Sequence, residues 1–473
     1  MSWTLTDALK ATGGRLIQGT VDTPLAGFST DTRNMEPGTC FLALLGENHD
    51  GHVHVADALT KGATSAIVQA DRVHSIGRLP AHAAIIEVPD TLEALGELAR
   101  FHRNRFRIPL AGITGSNGKT STKEMVAAIL SRRSRVLKNS GNFNNLIGVP
   151  LTLLCLQPEH QMAVVEMGIN VPGEMARLVA MSRPTVGLIT NIHPAHLEGL
   201  GSVEGIVEEK GRLWTEMDAD GVAVINLDDE RLRRFPLPSR RRAVTCSLRD
   251  ASADVALAAS VETEGAMSVF QLRLGTAVVP VRLSVLGEHH VMNGVAAAAV
   301  AWSMGEPPEV IAEGLSAHRP VKQRMEVTHL KNGRVLVDDT YNANPRSMLA
   351  AVRAVCGASG GSRVIMVLGD MKELGPESPA LHREVGRQIG LLGVGEIITL
   401  GEMSREIGTG AQEAGLSPKA CRHAGSHEEA AAWVMEKRPA GEWILVKGSR
   451  SMAMEKVVAR LVGGEEREAG QRA

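Results

Sequence analysis

The sequence predicts an α/β protein of three domains: a small N-terminal α/β domain, a central domain with a phosphate-binding loop on a parallel sheet, and a C-terminal Rossmann-like α/β domain. Three observations predict it. At 473 residues, and roughly 100 to 200 residues per domain, the chain suits about three domains, each with its own core. Across 105–230 short apolar runs alternate with helical patterns, as in a parallel sheet with crossover helices. The same alternation restarts at 335, after two alternating runs across 267–285 that turn at Gly275-Thr276 in the manner of an antiparallel hairpin.

In chain order, the region before residue 100 offers strands at 41–45, 65–69 and 84–88, and 1–102 reads as the first domain. Arg103, Arg105 and Arg107 mark the first linker. The central domain, 103–318, opens with a strand at 108–114 and a helix at 120–132, which places Met125, Val126, Ile129 and Leu130 on one face and Glu124, Ala127 and Ser131 on the other. Strands at 163–167, 186–191 and 222–226 follow, with a helix at 203–214 between the last two. A second linker at 316–324 leads to the third domain, 319–473, whose strands are expected at 335–340, 364–369, 397–400 and 444–447. The polar residues 463–473 are expected to fray.

Composition excludes several classes. Lys and Arg number 51 against 53 for Asp and Glu, a net charge of −2, which leaves no long-range field to gather a polyanion. No nucleic-acid partner is therefore expected, and the arginines at 231, 233, 234, 240, 241 and 242 read as a solvated loop. The longest apolar stretch, 295–302, falls far short of the ~20 residues a spanning helix needs. Residues 1–14 lack a signal peptide's charged start and apolar middle, so a cytoplasmic protein without membrane contact is expected. Five scattered cysteines without a Cys-x-x-Cys exclude a zinc ribbon and suit a reducing compartment. A monomer is expected.

The chemistry starts at Gly112-Ile113-Thr114-Gly115-Ser116-Asn117-Gly118-Lys119-Thr120-Ser121, between the first strand and first helix of the central domain. Glycines let the backbone approach phosphate oxygens, and the helix start presents free N–H groups. Lys119 adds a point charge, and the Thr120 or Ser121 hydroxyl can ligate Mg²⁺. The spacing departs from Gly-x4-Gly-Lys, because Ile113 stands where the first glycine would be. Glu166 ends a strand on the sheet edge where α/β proteins bind ligands and suits a hard metal ion.

The shortened loop Thr-Gly-Ser-Asn-Gly-Lys-Thr (114–120) resembles that of the Mur ligase family, which joins amino acids or peptides to a carboxylate at the expense of ATP. Gly-Asn-Phe-Asn-Asn-Leu-Ile-Gly-Val-Pro (141–150), Val-Glu-Met-Gly (165–168), 191–198 and 287–293 resemble family blocks in family order. The Asp-Asp-Thr-Tyr-Asn-Ala-Asn-Pro-Arg-Ser-Met block (338–348) and Leu-Val-Lys-Gly-Ser-Arg-Ser-Met-Ala-Met (445–454) are similar to members that add D-alanyl-D-alanine to a UDP-muramoyl tripeptide. The resemblance spans 31–454 and implies ATP and Mg²⁺ as cofactors, with the UDP-muramoyl tripeptide and D-alanyl-D-alanine as partners in peptidoglycan precursor synthesis.

Roles follow from that resemblance. Gly115, Ser116, Asn117, Gly118, Lys119, Thr120 and Ser121 would hold the ATP phosphates, while Thr120, Glu166, His196 and Lys210 would lie on the metal side. His193 departs from the family, where a small residue is common, and reads as a solvent-exposed imidazole. On the residues alone Lys210 is a surface lysine on a charged face with Glu204, Glu208 and Glu209, none of them three or four positions away. The resemblance instead implies a carbamate on Lys210, a carboxylate made from the amine and CO₂, which requires an amine that is at times neutral; burial favours that. Asn293 would read adenine, Arg324 would reach phosphate or acyl phosphate, and Asp339 would accept from ribose hydroxyls. Asp31, Thr32 and Arg33, with 45–52, would hold the UDP part, and Asn145 falls in a family block assigned to substrate. Tyr341, Asn342 and Asn344 would line the dipeptide pocket, although Asn-x-Asn-Pro is also turn chemistry.

Three other readings remain open at this point. One is an amide ligase of different specificity on the same scaffold, such as an amino-acid-adding Mur enzyme or a folylpolyglutamate synthase. A P-loop kinase or motor ATPase is another, and a non-catalytic UDP-sugar-binding protein is the third.

Overall fold

The computed structural model describes residues 3–46, 49–77, 79–194, 197–436 and 440–470. Each stretch of apolar alternation becomes a sheet. In the N-terminal region strands Arg15–Gln18 (β1), Gly27–Ser29 (β2), Thr39–Leu42 (β3), Ser65–Gln69 (β4) and Ala84–Val88 (β5) lie in the order β1-β5-β4-β3-β2, with only β1 antiparallel. The strand expected at 41–45 is shifted toward the N-terminus, because all four residues of 39–42 are buried.

Helix Thr91–Arg103 (α1) closes this region and takes in Arg103, the first of the linker arginines. Arg103 is buried in its last turn, where Nε donates to Ser182 O at 2.9 Å, Nη1 to Phe106 O at 2.6 Å and Nη2 to Ile108 O at 2.9 Å. A guanidinium offers donors in several directions, so one side chain satisfies carbonyls on both sides of the junction.

The central sheet contains Leu110–Thr114 (β6), Val136–Lys138 (β7), Met162–Glu166 (β8), Val186–Ile189 (β9), Val222–Asn226 (β10), Arg242–Ser247 (β11) and Val255–Leu257 (β12), all parallel, in the order β7-β8-β6-β9-β10-β11-β12. An antiparallel extension follows, and its strands 267–274 and 277–283 turn at Gly275-Thr276 as the pattern requires. The chain leaves β6 toward β7 on one side and returns to β9 on the other, so the carboxyl end of β6 is the switch point where such sheets bind ligands.

Helix Lys119–Leu130 (α2) starts at that point. Met125, Val126, Ile129 and Leu130 are buried as the periodicity demands, but so is Ala127, expected on the open face. Helices Val203–Glu216 (α3), Glu288–Ser303 (α4) and Pro308–Ala317 (α5) complete this region, and α4 and α5 pack on the far side of α2. The approach is close enough that a Cβ on Gly314 would come within 2.4 Å of Ile129 Cα.

The third sheet contains Glu326–His329, Val335–Asp339, Val364–Gly369, Glu396–Leu400, Cys421–Ala424 and Trp443–Lys447; only the first is antiparallel. Helix Pro345–Ala358 (α6) begins just after Val335–Asp339, and its N-terminus meets the phosphate loop. All five cysteines are unpaired. No helix among the described residues is long and apolar enough to cross a membrane.

Candidate active site

A cavity of about 950 Å³ opens between the central and C-terminal domains, lined by the phosphate loop on one side and by 339–347 on the other. The loop's shape depends on two glycines. Gly115 has φ 141°, and a Cβ there would fall 1.9 Å from Thr190 Oγ1; Gly118 has φ 81°, and its Cβ would fall 2.4 Å from Asn293 Oδ1. Only glycine combines that backbone with so close an approach.

The exit of β9 holds the loop in place. Asn117 N donates to Asn191 Oδ1 at 2.9 Å, and Asn117 O accepts from Thr190 Oγ1 at 2.6 Å. Ser116 Oγ donates to His193 O and accepts from His193 N, both at 2.9 Å. Nothing in the sequence singles out Thr190, because a hydroxyl at a strand end has no spacing signal. His193 is half-buried rather than a free imidazole, and Arg346 Nη1 lies 2.8 Å from its Nδ1 and 3.0 Å from its Nε2.

The loop ends in an anion-binding arrangement. Lys119 Nζ donates to Gly115 O at 2.8 Å and Ser116 O at 3.3 Å, with no carboxylate on it among the described residues. Desolvation lowers its pKa and nearby Arg324 adds to that, while Glu166 opposes them. The Thr120 and Ser121 side chains are buried in the first turn of α2, whose free N–H groups and dipole favour negative charge. Thr120 Oγ1 accepts from Arg324 Nη2 at 3.1 Å.

Glu166 sits at the end of β8, buried. Asn139 fixes its backbone, accepting from Glu166 N at 2.9 Å and donating to Glu166 O at 3.0 Å. Asn144 Nδ2 donates to Oε1 at 2.8 Å, whereas Oε2 is buried without a partner among the described residues. An orphaned carboxylate oxygen facing a phosphate loop fits a divalent cation. Among the described residues no three His, Cys, Asp or Glu side chains form a cage on their own; Mg²⁺ commonly takes only one or two carboxylates and completes its shell with water and phosphate oxygens. His196 lies outside the described residues, as do Glu47 and Asn48 of the 45–52 segment. Asn145 is exposed and off the cavity lining, and its Oδ1 accepts from Ile147 N at 3.1 Å and Gly148 N at 2.9 Å.

Lys210 overturns its surface reading: it is 1% exposed. Its pKa is driven well below the usual lysine range by burial first and by Lys119 second, against the pull of Glu209. The signal was present at helical spacing, since Ile206, Lys210 and Trp214 fall four apart on the buried face of α3 while Glu208 stays exposed. Glu209 is also buried, but its Oε1 accepts from Met175 N at 2.8 Å and Oε2 faces Arg212 at 3.2 Å.

From α4, Asn293 is buried against Gly118, beside His289 and His290. Burial pushes His289 down to about 4 and His290 well below the imidazole range, so both rings stay neutral. The third domain supplies Arg324, whose guanidinium lies 4.0 Å from the Tyr341 ring centroid. Its neighbours Gln323 (φ 63°) and Met325 (φ 52°) adopt the left-handed region, a strain held by the surrounding structure. Asp339 Oδ1 accepts from Met325 N at 3.2 Å, and Oδ2 pairs with Lys447 Nζ. Lys447 also donates to Asn342 O at 2.9 Å; only the tertiary structure shows that this lysine orders the 339–342 turn. Asn342 Oδ1 accepts from Ala343 N at 2.9 Å. Asn344 does two things at once: it caps α6 by accepting from Ser347 N at 2.9 Å, and it donates to Asn117 Oδ1 at 2.7 Å.

Asp31, Thr32 and Arg33 are not part of this cavity. They form a short 3-10 turn after β2, in which Asp31 accepts from Arg33 N at 2.9 Å and pairs with Arg33 Nη2 at 2.7 Å. Hydrogen bonds from Arg33 hold the Asp31 carboxyl down at about 2.

A phosphate loop at a sheet switch point, faced by a third α/β domain that sets an arginine on its threonine, defines a nucleotide-using enzyme closed by its C-terminal domain. The chain belongs to the Mur ligase family: it matches the family's catalytic domain over residues 24–103, the Mur ligase middle domain over 113–301, and the Mur ligase glutamate ligase domain over 323–450. It is 36% identical over 462 residues to the UDP-N-acetylmuramoyl-tripeptide–D-alanyl-D-alanine ligase of Escherichia coli, covering 98% of both chains. Among solved structures, MurF from Acinetobacter baumannii superimposes with a TM-score of 0.85 at 32% identity, over 98% of this chain and 99% of that one. The MurF ligase of Thermotoga maritima, in complex with ADP, gives 0.80 at 26% identity over 94% and 98%.

Proposed function

We propose that this chain is an ATP-dependent ligase that joins D-alanyl-D-alanine to a UDP-N-acetylmuramoyl tripeptide in peptidoglycan precursor synthesis. The observation that carries the reading is the cavity in which Lys119, Thr120 and the partnerless Glu166 oxygen face Arg324, Asp339 and Tyr341, in a chain 36% identical to such a ligase along its whole length. A carboxylate is a poor acyl donor. Transfer of the γ-phosphoryl group to it gives an acyl phosphate and ADP, and attack by the dipeptide amine then forms the amide and expels phosphate.

The reactants are all anionic, so the protein's part is positioned positive charge and exclusion of water. Residues 115–121 would hold the ATP phosphates, with Lys119 along their flank. Asn293 would meet the base, and Asp339 the ribose. Arg324 would meet the transferring group, because Tyr341 and Thr120 hold its guanidinium over the loop. Thr120 and Glu166 would hold Mg²⁺ together with His196 and a carbamate on Lys210. When bound, the metal supplies neutralisation of charge shared between phosphate and carboxylate oxygens. Support for the carbamate is the burial of Lys210, which favours the neutral amine that reacts with CO₂.

In this reading 1–102 receives the UDP moiety through Asp31, Thr32 and Arg33, 103–318 holds ATP, and 319–473 completes the ATP and dipeptide sites, with Tyr341, Asn342 and Asn344 on the dipeptide side. Asn145 accepts from Gly148 N at the start of helix Gly148–Leu154, beside Asn144, which holds Glu166. The test is phosphate release with UDP-muramoyl tripeptide alone, with D-alanyl-D-alanine alone, and with both. Release only with both is expected. Release without either peptide would mark an ATPase, and release when single amino acids replace the dipeptide would mark a ligase of other specificity.

A further inference from the structure

We propose that His193 and Arg346 form an interdomain pin that sets how the third domain sits on the phosphate loop. Arg346 stands at the second residue of α6, immediately after Pro345. A positive charge there opposes the helix dipole, and the first turn of α6 contains no acidic residue to offset it. Its anchor comes from another domain: Arg346 Nη1 lies 2.8 Å from Nδ1 and 3.0 Å from Nε2 of the His193 ring.

His193 is well anchored for that role. Its N–H and carbonyl both engage Ser116 Oγ, so the residue that receives Arg346 is stapled to the second position of the phosphate loop. Two residues before Arg346, Asn344 Nδ2 reaches Asn117 Oδ1 at 2.7 Å. The start of α6 therefore grips consecutive loop positions, Ser116 through His193 and Asn117 directly. The imidazole faces Asp229 and Arg231 as well as Arg346, and burial holds it down at about 4, so it is neutral and accepts the bond. A neutral acceptor orients the guanidinium without cancelling its charge, which stays available to the anions the cavity receives. His193 and Arg346 are positioning residues, acting through the loop and α6; both line the cavity.

The test is a double-mutant cycle on the full-length protein: His193→Ala, Arg346→Ala and the pair, with His193→Gln as the variant that keeps a neutral acceptor. The first readout is hydrogen exchange of amides in 115–121 and 343–348, with and without Mg²⁺ and a non-hydrolysable ATP analogue. Each alanine variant is expected to speed exchange in both segments about fivefold to tenfold, with no further gain in the double variant and recovery in His193→Gln. The kinetic readout rests on the proposed ligase reading: KM for ATP should rise several-fold with kcat nearly unchanged. Additive effects of the two alanines, or exchange that changes in only one segment, would overturn the pin. So would His193→Gln behaving like His193→Ala. Since exchange needs no peptide substrate, coupled exchange in a chain that shows no ligation would uphold the pin and sink the ligase reading, and ligation with uncoupled exchange would do the reverse.

Discussion

The phosphate loop and the 31–33 turn both leave the end of a parallel strand and both carry an exposed-looking polar sequence, yet the fold treats their charges in opposite ways. Asp31 and Arg33 neutralise each other in solvent, within three residues of chain. Among the described residues Lys119 is bonded only to carbonyl oxygens of its own loop, which is in turn held by Thr190, Asn191, His193, Asn344 and Arg324 from two domains. Its charge is oriented but uncancelled. An ion pair made locally fixes a turn, and a charge held by neutral dipoles remains free for a ligand.

Replacing Lys119 tests that contrast hardest. Lys119→Ala should lower turnover by on the order of 10² to 10³, as for other positioned electrostatic groups, while calorimetry finds binding of the UDP substrate nearly unchanged. Near-normal turnover would erase the distinction between the two loops.

Lys210 extends the comparison to a charge whose ammonium form is disfavoured by burial. Lys210→Ala should lose about 10- to 100-fold in activity, the usual scale for disturbing a metal's surroundings, and formate or acetate should restore part of it. Lys210→Arg should not help, because a guanidinium brings positive charge where the metal needs an anionic oxygen. ¹³C NMR with labelled bicarbonate reads the group directly; a free ammonium beside bound nucleotide and metal, or full activity of Lys210→Ala, would return Lys210 to a packing role.

A smaller effect is expected where the loop's shape rather than its charge is changed. Gly118→Ala places a Cβ 2.4 Å from Asn293 Oδ1 at φ 81°, so it should cost about 1–2 kcal/mol in denaturant unfolding. The KM for ATP should rise as Asn293 is displaced, and an unchanged KM would show that Asn293 does not need its present seat. The smallest effect belongs to the 31–33 turn. Arg33→Ala should raise the KM for the muramoyl substrate by up to about tenfold, one charge-assisted contact, and leave that for ATP alone. Equal changes in both would point to a damaged first domain instead.

Local order carries much of this molecule in its sequence. A strand, a glycine loop, Lys-Thr and an amphipathic helix follow one another within 25 residues, and period-2 and period-3.6 patterns report which side of each element is buried. The fold class and the position of the phosphate loop were readable for that reason, and the family blocks supplied the remaining candidates. What the pattern cannot report is which residue from elsewhere in the chain arrives at a given face. Ala127 reads as solvent-facing although the fold buries it, and Arg103 reads as linker until Ser182 and Ile108 offer it carbonyls. Lys210 looks like a surface lysine because its charged neighbours dominate the local composition, although its apolar line with Ile206 and Trp214 decides its burial. His193 and Arg346 stand 153 positions apart, and although each lies in a family block, no spacing pairs them. The sequence by itself determined the elements and the loop that meets phosphate. The tertiary structure alone decided which charges are buried, paired or left free, because desolvation and cross-domain hydrogen bonds depend on distances in space that no spacing along the chain encodes.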